Sequence, residues 1–266
     1  RLETLAEAAE GRGWFQLYAS ANHEVTDGLV DRAKASGYGN LIVTVDVPAA
    51  GKRDRDIRNE LAVPFKLTPR TLVDLALHPR WSLATLRSGK PNIANYADLL
   101  KTATSYAEVQ STLIAADYTW EHLRKLRDRW SGRLIVKGLQ HPQDAARCVE
   151  IGCDGIVVSN HGGRQVAAGP ASIEALPGIA EAINGRIEVL FDSGIRRGTD
   201  IIRAKALGAD FTLLGRSFAY GVGAGGVSGA ERAFDIIELE LKRSLAQLGR
   251  PDFASVDTTL IHRCSA

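Results

Sequence analysis

The segment LIVKGLQHPQDAARCVEIGCDGIVVSNHGGRQ, residues 134–165, contains the clearest indication of how this chain folds. Two short runs rich in β-branched residues, 134–137 and 155–159, enclose a segment at 142–151 whose apolar residues repeat with helical spacing. A strand, a helix and another strand in this order normally connect two parallel strands of one sheet. The stretch therefore predicts a parallel α/β sheet or barrel.

The same alternation continues on both sides of this stretch. The predicted strands are 14–18, 41–45, 134–137, 155–159, 187–191 and 211–214, and the predicted helices lie at about 24–36, 142–151, 172–183, 198–206 and 230–247. Successive strands begin 27, 93, 21, 32 and 24 residues apart. The 93-residue interval is too long for one strand–helix unit, so we assign an inserted region, 60–118, within a single domain spanning 1–266.

The inserted region contains four prolines and alternates basic with bulky apolar residues. We favour a long, partly helical excursion over the surface; the alternative is a lid over the active site or a membrane-surface contact. About 200 residues remain outside it, enough for six strand–helix units, whereas a closed TIM (β/α)₈ barrel needs eight. The chain is therefore either an open sheet or a TIM barrel whose first two strands precede Arg1.

The composition is that of an ordinary globular protein. Among 266 residues, 33 basic side chains nearly balance 31 acidic ones, which excludes a protein that neutralises many nucleic-acid phosphates. No apolar run reaches the roughly 18 residues of a membrane-spanning helix. Three cysteines without metal-ligand spacing predict a reducing compartment and no metal site. The chain has no Met and begins with Arg1, so we expect it to be part of a longer protein.

Every predicted strand ends in polar or glycine-rich residues, and α/β barrels carry their functional groups at these carboxyl ends. The fifth strand is followed by Asp192-Ser193-Gly194-Ile195-Arg196-Arg197-Gly198, and the last by Gly215-Arg216. Glycines let backbone N–H groups approach an anion, arginines bind phosphate oxygens, and barrel phosphate sites recur after the last two strands. The two segments therefore predict a phosphate site; the alternative is a pair of glycine turns with surface arginines.

His161 is the best candidate for a catalytic base. It follows the fourth strand and stands between Asn160 and two glycines that let a substrate approach. Asp46, at another strand end, is placed to hold the imidazole in one tautomer. Arg164 supplies a carboxylate-binding fork in the same loop. Lys137, also at a strand end, is either a buried ion-pair partner or a group that faces an electron-accepting ring.

Several motifs, taken in order, resemble those of one enzyme family. They are WFQLY at 14–18, TVD and GKRDRDIRN at 44–46 and 51–59, IVKG at 135–138, SNHGGRQ at 159–165, DSGIRRGTD at 192–200 and LLGR at 213–216. The chain thereby resembles the FMN-dependent 2-hydroxy-acid oxidases and dehydrogenases, which include glycolate oxidase, L-lactate dehydrogenase and (S)-mandelate dehydrogenase. The resemblance runs from about residue 14 to residue 249. It implies a TIM (β/α)₈ barrel that binds FMN at its carboxyl mouth.

The resemblance also implies roles for single residues. His161 resembles the active-site base and Asp46 its carboxylate partner, while Tyr18, Arg53 and Arg164 resemble substrate ligands. The implied flavin-ring ligands are Gln16, Thr44, Lys137 and Ser159, and the implied ribityl and phosphate ligands are Asp192, Ser193, Gly194, Ile195, Arg196, Gly215 and Arg216. The family's first two barrel strands have no counterpart here. Ser193, where many members have glycine, and Gly163, where glycolate oxidases tend to have alanine, favour the dehydrogenase branch.

The implied activity is oxidation of an (S)-2-hydroxy acid, lactate-like or mandelate-like, to the 2-oxo acid. Small residues at 47–50 favour a bulky substrate side chain. We expect oxygen or a quinone as electron acceptor and a homo-oligomer, namely a tetramer. We also expect a cytoplasmic protein; the alternative location is peripheral, on the inner face of the membrane. Two rival interpretations stay open: another FMN- or phosphate-binding barrel enzyme, such as an isomerase, and an inactive truncated fragment.

Overall fold

A parallel sheet of six strands is the centre of the fold. The computed structural model describes residues 1–49, 51, 54–59, 67–89, 93–96, 117–166 and 168–262. The strands are β1 (Trp14–Tyr18), β2 (Asn40–Thr44), β3 (Arg133–Leu139), β4 (Gly155–Val158), β5 (Glu188–Phe191) and β6 (Phe211–Thr212). They pair in chain order, each parallel to the next. This order is that of a (β/α) barrel, so the predicted fold class is confirmed.

Helices alternate with the strands, as the sequence predicts. In the described residues they are α1 (Leu2–Ala9), α2 (His23–Ala35), α3 (Asp54–Arg58), α4 (Pro69–Leu77), α5 (Pro79–Ser88), α6 (Trp120–Arg129), α7 (Pro142–Ile151), α8 (Ser172–Ile183), α9 (Gly198–Ala206) and α10 (Arg216–Gln247). Two 3₁₀ turns, Ala94–Tyr96 and Thr258–Leu260, accompany them. No helix in this part of the chain is both long and apolar enough to cross a membrane.

The C-terminal helix begins earlier than the sequence suggests. We expected a helix near 230–247, but α10 starts at Arg216 and is interrupted at Gly226, where the backbone enters the left-handed region with φ +61°. The two halves of α10 touch at Gly221 and Gly229, where a Cβ on either residue would collide with the carbonyl oxygen of the other. The glycines permit this contact, and they also hide the first half from sequence analysis because glycine is unfavourable within helices.

Apolar residues of the strands pack on both faces of the sheet. On one face Val43, Val136 and Ile156 join a large cluster that includes residues of the surrounding helices. On the other face the buried side chains of Ile42, Ile135, Val157 and Leu190 form a second, smaller cluster. Successive strand residues point to opposite faces, so one layer lies beneath the helices and the other fills the interior of the barrel.

Part of the inserted region 60–118 forms the two short helices α4 and α5. Residues 60–66, 90–92 and 97–116 lie outside the described residues. The Thr68 hydroxyl accepts the Thr71 N–H and begins α4, and neither helix buries a residue. These exposed helices agree with the expected surface excursion. The division of the chain into one domain with an insertion stays a prediction.

Candidate active site

His161 and Asp46 form a hydrogen-bonded pair at the carboxyl edge of the sheet. Asp46 follows β2, His161 follows β4, and the His161 Nδ1 lies 3.0 Å from the Asp46 Oδ1. The two side chains are 19% and 13% exposed, so water reaches them only in part. Because the carboxylate accepts the Nδ1–H, the assigned tautomer leaves the lone pair on Nε2.

The second carboxylate oxygen of Asp46 contributes to the electrostatics of the His161–Asp46 pair. The Asp46 Oδ2 is buried and has no hydrogen-bond partner among the described residues. Within the described ranges no donor reaches this oxygen, so its negative charge is available to stabilise a protonated His161. The pair can accept a proton at the His161 Nε2.

Backbone conformations place both members of the pair. His161 has a left-handed φ of +56°, and its N–H donates to the Ser159 Oγ at 3.0 Å. Gly138, at an irregular position in β3, has φ +109°, and a Cβ there would lie 2.5 Å from the Asp46 Cβ. Gly138 therefore provides the space that Asp46 occupies.

Gln165 joins the two loops that carry the pair. Its Nε2 donates to the Asp46 carbonyl oxygen at 3.1 Å, and its Oε1 accepts the Gly51 N–H at 3.1 Å. A Cβ on Gly51 would collide with the Arg164 carbonyl oxygen, so the loops pass in contact. Sequence reasoning missed Gln165 and Gly138; their position inside or next to the motifs SNHGGRQ and IVKG was the available signal.

Lys137 is a buried ion-pair partner, one of the two interpretations that its sequence position allows. It is 8% exposed, and its Nζ lies 2.7 Å from the Asp192 Oδ2 and donates to the Ser159 Oγ at 2.8 Å. A buried ammonium normally requires such partners. The pairing does not exclude the other interpretation, because the lysine stands at the same sheet edge as His161.

The predicted residues of β1 and β2 lie next to this pair. The Tyr18 and His161 ring centroids are 6.4 Å apart. The Gln16 Nε2 donates to the Thr44 Oγ1 at 2.8 Å. Because Tyr18 pairs with Thr44 and Thr44 with Lys137 across neighbouring strands, these side chains follow one edge of the sheet.

A cavity of about 360 Å³ joins the two segments that predict a phosphate site. Its lining includes Asn160, Gly162, Ser193, Gly194, Ile195, Asp200, Arg203 and Arg216. The N–H groups of Gly194 and Gly215 have no hydrogen-bond partner among the described residues, and α10 begins at the cavity without a side-chain cap. The buried Ser217 Oγ, in the first turn of α10, is also without a partner there. Unpaired donors at a helix start attract an anion.

The predicted arginines are placed differently from one another. Arg216 lines the cavity, and its Nη2 donates to the Gly162 carbonyl oxygen at 2.9 Å. Arg196 is exposed and is not part of the cavity lining. Arg164 is exposed in the His161 loop. Arg53 lies outside the described residues.

These residues fit the groups of FMN. The unpaired N–H groups and Arg216 are donors for a phosphate. A Cβ on Gly194 or Gly215 would meet no atom within 4 Å, so open space adjoins the backbone where a phosphate would lie. At the other end, Lys137 is a cation suited to a ring that becomes negative on reduction.

A sequential parallel sheet with its polar residues gathered at the carboxyl edge defines the class of (β/α)-barrel enzymes. The chain belongs to the FMN-dependent dehydrogenase family, whose model matches residues 1–263. The family resemblance and FMN as the family's cofactor are thereby confirmed.

Individual relatives are similar over nearly the whole chain. An (S)-mandelate dehydrogenase of Pseudomonas putida is 41% identical over 259 residues, which are 96% of this chain and 64% of the relative. An L-lactate dehydrogenase of Xanthomonas campestris pv. campestris (strain B100) is 37% identical over 98% of this chain and 69% of the relative. A crystal structure of a monotopic membrane protein, (S)-mandelate dehydrogenase, has a TM-score of 0.93 and 39% identity over 98% of this chain and 69% of that one. The chain thus spans about two thirds of the length of the relatives it matches.

Proposed function

We propose that the protein oxidises an (S)-2-hydroxy acid to the 2-oxo acid with FMN as electron acceptor. The observation that carries the proposal is the His161–Asp46 pair, whose Nε2 is left with a lone pair at the sheet edge that also holds Lys137. When bound, FMN would accept the two electrons that leave the substrate. The names of the similar proteins, mandelate and lactate dehydrogenase, support the substrate class.

The substrate is oriented by its carboxylate in this proposal. Arg164 and Arg53 would bind the carboxylate as paired guanidinium groups, and Tyr18 would donate a hydrogen bond. His161 would then accept one proton at Nε2, from either the Cα or the hydroxyl group. Asp46 would stabilise the imidazolium that forms.

Ring and phosphate would be held at opposite ends of the same edge. Gln16, Thr44, Lys137 and Ser159 are the proposed ring ligands, and Lys137 would stabilise the negative charge of the reduced ring. Asp192, Ser193, Gly194, Ile195, Arg196, Gly215 and Arg216 are the proposed ligands of the ribityl and phosphate groups. Arg196 has the weakest support in this set, because it is not part of the cavity lining.

The protein would also contact the surface of a membrane, on the cytoplasmic side. Support comes from α4 and α5, which expose Leu72, Val73, Leu77, Trp81, Leu83 and Leu86 beside three arginines. The similar mandelate dehydrogenase is described as a monotopic membrane protein. A quinone acceptor would suit this location better than oxygen. A homo-oligomer, namely a tetramer, belongs to the proposal as well.

An anaerobic reduction experiment tests the activity. The purified protein is loaded with FMN and mixed with (S)-mandelate, (S)-lactate or their R enantiomers without oxygen. We expect an S enantiomer to bleach the oxidised-flavin absorption and the R enantiomers to leave it unchanged. An isomerase would keep the flavin oxidised with all four acids, and an inactive fragment would take up no FMN.

A further inference from the structure

Ser193 has a conformation that its side chain makes unfavourable. Its φ is +75°, in the left-handed region that few residues with a Cβ adopt. The hydroxyl forms two hydrogen bonds there: it donates to the Asp192 Oδ1 at 2.8 Å and accepts the Gly162 N–H at 2.8 Å. Both contacts depend on the left-handed turn that directs the hydroxyl back over the loop.

The two contacts close a ring of hydrogen bonds. The other oxygen of Asp192 binds the Lys137 Nζ, and Lys137 donates to the Ser159 Oγ. Ser159 in turn accepts the His161 N–H, next to the Gly162 N–H that Ser193 binds. The hydroxyls of Ser159 and Ser193 therefore bind two consecutive backbone N–H groups of the loop that carries His161. The Ser159 hydroxyl also contacts Lys137, and the Ser193 hydroxyl also contacts Asp192, so the two serines connect the ion pair to this loop.

We propose that Ser193 is a positioning residue that couples the Lys137–Asp192 ion pair to the loop carrying His161. The proposal rests on the function proposed above and adds a residue that sets both the charge beside the flavin ring and the position of the base. It adds a positioning role to the cofactor contact proposed for Ser193 above.

The charge of the ion pair determines how loss of the Ser193 hydroxyl should change the properties of bound FMN. A hydroxyl that donates to Asp192 draws off part of the carboxylate's negative charge. Lys137 is then less neutralised and stabilises an anion on the ring more strongly. Loss of the hydroxyl should therefore lower the midpoint potential of bound FMN. It should also weaken the binding of sulfite, which adds to oxidised flavin and leaves a negative charge on the ring.

The experiment compares Ser193→Ala and Ser193→Gly with the wild-type holoenzyme. Alanine keeps the backbone strain and removes the hydroxyl, whereas glycine removes both. We expect sulfite binding, followed by flavin absorption, to weaken by roughly two- to tenfold in both variants, which is less than for direct loss of a hydrogen bond to a charged group because the effect reaches the ring through Lys137. We also expect faster hydrogen–deuterium exchange of the Gly162 N–H in both.

Asn184→Gly is the matched control. Asn184 also has a left-handed φ, +50°, but it ends α8 and is not part of the ring of hydrogen bonds around Ser193. The change should therefore relieve backbone strain and leave sulfite binding unchanged. Unchanged sulfite binding in both Ser193 variants would overturn the coupling to Lys137. If a Ser193 variant loses FMN, its apoprotein is compared with the wild-type apoprotein. An unchanged rate of hydrogen–deuterium exchange at the Gly162 N–H would then overturn the proposal. Neither readout uses substrate, so failure of the proposed activity is seen separately.

Discussion

The role proposed for His161 depends on its backbone conformation together with its contact with Asp46. The left-handed backbone at φ +56° turns the side chain toward Asp46, and the Ser159 hydroxyl holds the backbone N–H. Such a conformation costs on the order of 1 kcal/mol or more for a residue with a Cβ. The hydrogen bonds to Ser159 and Asp46 offset that cost and leave the lone pair on Nε2, the atom proposed to accept the proton.

Replacement of His161 should separate catalysis from cofactor binding. His161→Gln removes the accepting Nε2 without touching the cavity that suits the phosphate, so FMN should remain bound. The rate of flavin reduction by the substrate should fall by roughly 10²- to 10⁴-fold, the usual contribution of a general base. Anaerobic stopped-flow absorbance measures both quantities. His23→Gln, at the exposed start of α2, is the control, and an unchanged rate in His161→Gln would remove this residue from its proposed role.

At the scale of elements, β3 determines where the carboxylate lies. The irregular pairing between Lys137 and Leu139 interrupts the register with β4 at Gly138. The glycine allows Asp46, at the end of the neighbouring β2, to lie against the backbone of β3. A strand with a side chain at this position would push the carboxylate away from His161.

The substitution Gly138→Ala should therefore damage both stability and activity. Its φ of +109° is strained for alanine, and the new Cβ would collide with Asp46. We expect the free energy of unfolding to fall by about 1–3 kcal/mol in urea denaturation. Flavin reduction should slow as well, because the carboxylate moves.

Gly28→Ala provides the matched control for this change. Gly28 lies within α2, and a Cβ there meets no atom within 4 Å. Alanine should raise the free energy of unfolding by about 0.5–1 kcal/mol, as expected for a helix interior, and leave flavin reduction unchanged. Equal stability of the two alanine variants would contradict the role given to Gly138.

The elements themselves were largely predictable, and the contacts between loops were not. Predicted strands agree with β1 to β5 within two residues because β-branched runs between glycines indicate buried strands. The His161–Asp46 pair followed from residue type and strand end. The links through Gln165 and Ser193 depend on loop conformations, and a left-handed serine gives no periodic signal in a sequence.

At the scale of the whole molecule, the sheet formed by the described residues has two edges that a closed barrel would lack. Among the described residues β1 and β6 pair with one strand each, and Trp14 and Phe211 are exposed on them. An eight-stranded barrel has no such edges because its first and last strands pair. An eight-stranded barrel could pair further strands with these two edges, which agrees with the chain spanning 64% and 69% of the length of two relatives.

Binding of the whole protein to a membrane surface should depend on α4 and α5. Their residues Leu77 and Leu86 are 72% and 81% exposed, and the segment 67–89 contains three arginines and one aspartate. Apolar residues would enter the headgroup region, and the arginines would favour anionic lipid. In cosedimentation we expect binding to phosphatidylglycerol vesicles that decreases with salt, and weaker binding to phosphatidylcholine. Leu77→Asp and Leu86→Asp should each weaken binding about tenfold or more, since burying one leucine contributes about 1.5–3 kcal/mol.

Leu5→Asp tests whether this effect is specific to the segment. Leu5 is 65% exposed on α1, so its replacement makes the same chemical change at a different surface. It should leave vesicle binding unchanged, and none of the three substitutions should alter flavin reduction in solution, because all three side chains are more than half exposed and none belongs to the proposed site. Equal losses of binding in all three variants would indicate a general effect of charge. Unaltered binding in Leu77→Asp and Leu86→Asp would show that α4 and α5 do not form the membrane contact.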